Sequence, residues 1–120
     1  MAIEERLITI GFLAAGSDLS TKQYHVVKLD AQGKAVLAGA GELSLGILQN
    51  DPSEGQACDI AVDGVSKAKA GASITLGSLL SANANGQVVP ATSGDYVIGI
   101  ALEAASSGDI VSVLIRNFKI

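Results

Sequence analysis

The sequence predicts an all-β fold, with at most one or two short helices: a small β-barrel or sandwich built from two tandem pseudo-repeats. Three observations predict it. The chain matches itself when slid by 53 residues, its apolar residues alternate with a period of two, and no stretch sustains a helical period. At 120 residues there is chain for one domain and not for two of typical size. The division expected is an N-terminal arm or first strand over residues 1–17 and a single β domain over 18–120.

The gapless offset lays residues 20–62 over residues 73–115. Ten of the 43 aligned pairs are identical, among them Gly33/Gly86, Gly41/Gly94, Gly46/Gly99 and Gly55/Gly108. Shared glycines mark turns or close backbone approaches, which composition alone does not place in register. Similar chemistry recurs at Asp30/Asn83, Glu42/Asp95, Leu45/Ile98, Cys58/Val111, Ile60/Val113 and Val62/Ile115.

Taken in order, Gln23–Leu29, Ala35–Ala38, Glu42–Gln49 and Ala57–Val62 read as the strands of the first copy. Leu79–Ala82, Gln87–Pro90, Tyr96–Glu103 and Ile110–Arg116 read as those of the second. Leu43, Leu45 and Ile47 alternate with Ser44 and Gly46, and Cys58, Ile60 and Val62 alternate with Asp59 and Ala61. Such alternation gives a strand one buried face. Asp30-Ala31-Gln32-Gly33 and Asn83-Ala84-Asn85-Gly86 supply turn residues. Asp51–Gly55 and Ala104–Gly108 are equivalent connections, and Val65–Ala70 reads as a further strand bridging the copies. Leu19–Tyr24, with Asp18 as a cap, and Leu76–Ser81 are the candidate helical turns.

Composition excludes much chemistry. Apolar residues make up 48% of the chain and the net charge is only −4, which argues against disorder. Aromatics are 3%, so the core must be aliphatic, and an aromatic carbohydrate cleft is disfavoured. Eight Lys+Arg against twelve Asp+Glu give no basic surface for nucleic acid or an anionic membrane. No apolar run is long enough to span a bilayer. Leu7–Ala15 follows Glu4, Glu5 and Arg6, the wrong charge for a secretory leader, so folding in the cytoplasm is expected. A single Cys excludes an intramolecular disulfide, and one Cys with one His makes a poor zinc site.

No catalytic, cofactor-binding or metal-ligating set is predicted. Gly39–Gly46 lacks the spacing and the lysine of a phosphate loop and leads into a strand. His25 has no Ser, Cys or carboxylate at a motif spacing and reads as an ordinary strand residue. Cys58 stands where the other copy has Val111, so it reads as a small buried hydrophobe. Asp59 with Asp63, and Asp51 with Glu54, lack the ligand density of a calcium loop.

Gly46-Ile47-Leu48-Gln49-Asn50-Asp51-Pro52-Ser53-Glu54-Gly55-Gln56-Ala57 resembles the central signature of small tailed-phage capsid decoration (cement, head-stabilising) proteins. Tyr24–Leu29, Gly33-Lys34, Ala38–Gly41, Gly64–Lys67, Ala70-Gly71 and Gly94–Ala104 extend the similarity across roughly Asp18 to Ile115. The resemblance implies a β-rich structural virion protein on the outer capsid surface, assembled in the host cytoplasm. Its implied partners are the major capsid protein and itself, as a homotrimer on the shell that reinforces the lattice against internal DNA pressure. No enzyme activity, cofactor, nucleic acid or membrane belongs to that pattern. The alternative is a stand-alone small β-barrel binding module for a sugar, peptide or host-surface ligand.

The candidate partner-binding residues lie in the first segment: Ile3, Leu7, Ile8, Ile10, Phe12 and Leu13. That density of large apolar side chains outside both copies calls for a partner. An arm ordered on contact and a first strand of the domain both fit the sequence.

Overall fold

A computed structural model describes residues 2–120. The fold is all-β, with nine strands among the described residues: β1 (Glu5–Ala14), β2 (Val26–Leu29), β3 (Ala35–Leu37), β4 (Gly46–Leu48), β5 (Ala57–Lys69), β6 (Leu79–Ala82), β7 (Val88–Pro90), β8 (Tyr96–Ala101) and β9 (Ile110–Lys119). They form one curled sheet in the order β3-β2-β4-β5-β9-β8-β6-β7, with every strand pairing antiparallel and β1 added beside β5.

The long β5 organises the molecule. Its first part pairs with β1 and β4, and its second part, Val65–Lys69, pairs with β9. It therefore ends one half (β1–β4 and its own first part) and begins the other (its second part and β6–β9). Each half curls toward closure through a parallel bridge, Ala15 to Ala35 in the first and Ala70 to Val88 in the second.

β6, β7 and β9 begin 53 residues after β2, β3 and β5. The small bonds that shape the loops repeat with them. Asp30 accepts the amides of Gln32 and Lys34, and Asn83 accepts those of Asn85 and Gln87. The Gly39 amide donates to Glu42, and the Thr92 amide to Asp95. Gly46 and Gly99 are equivalent for a physical reason. A Cβ at Gly46 would overlap the carbonyl of Ala61, and one at Gly99 would overlap Val113 and the carbonyl of Leu114. Only glycine allows the neighbouring strand so near.

Two aliphatic cores follow from the alternation. Ala15, Leu19, Val27, Ala35, Leu48, Cys58 and Ile60 fill the first half. Ala70, Ile74, Leu80, Val88, Ala101, Val111 and Val113 occupy the matching places in the second. The second core also takes in Val26, Ala38, Ile47 and Ala61, from the opposite face of the first half's strands. The halves are thus stacked, with the outside of the first sealing the inside of the second.

Several sequence-based boundaries shift. Leu19–Tyr24 is a run of turns and Leu76–Ser81 a turn leading into β6, and neither is a helix: the Lys22 amide reaches Leu19, the His25 amide Lys22 and the Ser78 amide Thr75, but the amides of Tyr24 and Gly77 are taken by other strands. Tyr24 donates to Leu48 and Gly77 to Ala101. The strand expected over Glu42–Gln49 shrinks to Gly46–Leu48, because Glu42 folds back as a side-chain cap on Gly39. Ala57–Val62 and Val65–Ala70 merge into β5.

Candidate functional site

β1 runs antiparallel to β5 from the pair Ala14–Ala57 to the pair Glu5–Val65, with register shifts near Arg6 and between Ile10 and Leu13. Those irregularities place its apolar side chains on two sides. Leu7 packs on the second core, and Ile10 and Leu13 pack on the first, all half-buried. Ile3, Ile8 and Phe12 point outward and remain 49%, 56% and 80% exposed. Ile3 is tied down by its amide, which donates to the Ser112 hydroxyl at 2.7 Å. β1 thus divides the candidates it carries into Leu7, Ile10 and Leu13, which hold the strand, and Ile8 and Phe12, which are exposed, as is Ile3 just before it.

A second apolar feature was not among the expected residues. Lys28, Leu29, Leu43, Ser44 and Leu45 line a hollow of about 200 Å³ at the mouth of the first half. Leu29 and Leu43 are 49% and 60% exposed. The Lys28 ammonium, 2.8 Å from the Glu42 carboxylate, stands at its rim. A comparison of the two copies held the signal, since Ala82 stands where the first copy has Leu29.

The residues considered for chemistry have structural settings. His25 is buried, and its Nδ1 lies 3.1 Å from the Gln23 carbonyl. Burial pulls its pKa below the ordinary histidine value, favouring the neutral ring. Cys58 lies in the first core, where burial pushes its thiol pKa up, away from the reactive thiolate. The Asp59 amide is held by the Asn50 side chain. The Gly39 amide, in the glycine-rich stretch, is taken by Glu42 and so faces a carboxylate of its own chain. Among the described residues no group of three or more His, Cys, Asp or Glu is placed to hold a metal ion. No helix among them is long and apolar enough to cross a membrane.

Comparison with known proteins places the geometry in context. A family model described as phage cement protein matches residues 18–116, most of the chain. The chain belongs to the phage cement protein family. It is a structural protein of the phage head and associates with the capsid. In fold this cement protein is similar to the crystal structure of the head fiber gp8.5 N base in bacteriophage phi29. The two superpose with a TM-score of 0.73 at 19% sequence identity, over 95% of this chain and 98% of that one. At that identity the likeness concerns the fold. No curated protein matches the sequence. The family match begins at Asp18, so the exposed Ile3, Ile8 and Phe12 lie outside the matched residues.

Proposed function

We propose that this chain binds the outer surface of the assembled phage head, docking on the major capsid protein as a homotrimer and reinforcing the lattice. Membership of the cement family supports a capsid partner. The observation that carries the docking assignment is the exposure of Ile8 and Phe12 on β1 and of Ile3 just before it. A phenylalanine 80% exposed and two half-exposed isoleucines in one short segment are more apolar surface than a chain leaves in water without a partner. Leu7, Ile10 and Leu13 serve the site indirectly by anchoring the strand.

The energetics favour such a surface. An unstructured arm would lose about 1–2 kcal/mol of backbone entropy per residue on ordering. β1 is already paired with β5 in the single chain, so that cost is met in folding. Burial of the outward side chains then returns roughly 1.5–3 kcal/mol for each one fully covered. Repetition over many sites on a shell multiplies the reinforcement without demanding tight binding at each.

The experiment is co-sedimentation of purified protein with expanded heads that lack it. The wild-type chain is expected to pellet with heads, and Phe12→Asp is expected to stay in the supernatant while keeping its β circular dichroism. A Phe12→Asp protein that pellets as well as wild type removes β1 as the docking surface. A wild-type chain that never pellets with heads removes the decoration reading itself.

A further inference from the structure

The two halves are built alike but covered unequally. In the second half Ala82, Ile98 and Ile115 are 4%, 1% and 3% exposed. At the matching positions of the first half, Leu29 is exposed and Leu45 and Val62 are only half-buried, although none is polar. The cover over the second half is the outside of the first: Val26, Ile47 and Ala61, an adjacent row across β2, β4 and β5, all with no exposure. The turn ending in Gly41 seals the rim. Its amide donates to Ala82 at 2.9 Å, and its carbonyl accepts from Tyr96 at 3.0 Å.

The same offset applied to that cover gives a second one. Leu79, Ile100 and Leu114 form the equivalent row across β6, β8 and β9, and all three are half-buried. Thr92, Ser93 and Gly94 form the equivalent turn, and all three are exposed. The chain therefore carries an open hollow on the inside of its first half and a partly exposed apolar face on the outside of its second. These are the two sides of a contact it already makes internally.

We propose that the hollow lined by Leu29, Leu43 and Leu45 receives the Ser93–Gly94 turn and the Leu79–Ile100–Leu114 face of a second copy of this chain. Such a contact joins unlike surfaces, so copies add head to tail, building a ring such as a trimer when the rotation closes, and do not pair about a twofold axis. The inference rests on the homotrimeric reading above and names the surface that builds the trimer. One bond of the internal contact does not recur. The Gly94 amide already donates to Ile120 at 2.9 Å, where its counterpart Gly41 donates to Ala82. The contact between copies is thus carried by apolar side chains and is weaker than the internal one, and neighbouring sites on a shell strengthen it.

The test uses two full-length single-cysteine variants with different affinity tags, Leu43→Cys and Ser93→Cys, each with the buried Cys58 changed to valine. Both positions are exposed, and the internal contact of Gly41 with Tyr96 sets residue 94 of one copy, next to Ser93, beside residue 43 of the next. On mild oxidation the mixture is expected to give the mixed disulfide dimer, while each variant alone gives none above background. In parallel, Leu43→Asp is expected to weaken self-association in sedimentation by roughly tenfold or more, since it places a carboxylate in an apolar contact. Self-association of the wild type without the mixed cross-link overturns the assigned surface and leaves the trimer standing. A wild type that remains monomeric at every concentration in solution and on heads overturns both.

Discussion

Single residues show how the duplicated design sets local strain. Tyr24 has φ 67° and its counterpart Gly77 has φ 84°, both in the left-handed region. Glycine takes that conformation freely, whereas an L side chain costs about 1–2 kcal/mol there. Tyr24 is held by its amide bond to Leu48 and by the Lys69 amide on its carbonyl, with the Lys67 ammonium 5.9 Å from its ring centre. Gly77 has open space around it, so Gly77→Ala isolates the backbone cost. Denaturant unfolding is expected to show a loss of about 1 kcal/mol. Cys58→Val is expected to change stability little, because the second half already uses Val111 there, and a thiol reagent is expected to react only on unfolding. Three of the five lowered pKa values set the pattern of the pH dependence. Burial lowers His25 from 6.5, the Lys28 ammonium lowers Glu42 from 4.5, and the Thr92 amide lowers Asp95 from 3.8. In each case the unfolded chain binds the proton more readily, so stability is full above the unfolded value and falls on acidification. The thermal midpoint is expected to decline first just below pH 6.5 and again below pH 4.5. His25→Gln is expected to remove the first decline. A midpoint that rises on acidification contradicts the assignment.

At the scale of elements, β1 is where sequence and structure part most. Its inward residues, Leu7, Ile10 and Leu13, recur every third position and not every second, because register shifts interrupt its pairing with β5. A strict alternation rule therefore assigns it no face. The strand also has a counterpart that the 53-residue offset misses. The pairs Leu13–Cys58 and Ala14–Ala57 correspond to Ala68–Val111 and Lys69–Ile110, so β1 stands to the first half as the end of β5 stands to the second. Two residues fewer between the second half's opening strand and β6 break the gapless match. By contrast, β2, β3, β6 and β7 were legible because a two-strand hairpin with an Asp/Asn–x–x–Gly turn needs only local information. The structure makes residues 1–13 a poor candidate for removal. Deleting them strips β5 of its edge partner and uncovers Ile60 and Cys58, with an expected loss of about 3–5 kcal/mol from three half-buried side chains. Far-ultraviolet circular dichroism and denaturant titration of that truncation are expected to show a destabilised or unfolded domain, whereas Ile8→Ser leaves stability within about 0.5 kcal/mol.

For the molecule as a whole, duplication explains the fold and leaves its surface asymmetric. The repeated glycines and period-two alternation were readable because they are imposed within each copy. Which copy is covered was only hinted at by Leu29 standing opposite Ala82, because exposure depends on how the halves stack. The same applies to Phe12, whose outward direction depends on the irregular pairing of β1. What results is an aliphatic, acidic domain whose exposed Ile8 and Phe12, and whose unequally covered halves, carry the proposed contacts with the capsid and between copies. The most direct measurement is electron cryomicroscopy of heads carrying this protein, with local reconstruction of the shell. The account predicts density for this fold on the outer surface, in groups of three, with the Phe12 side of β1 against the major capsid protein. Heads whose outer surface is bare, or density for this fold that meets the shell through another face, would contradict it.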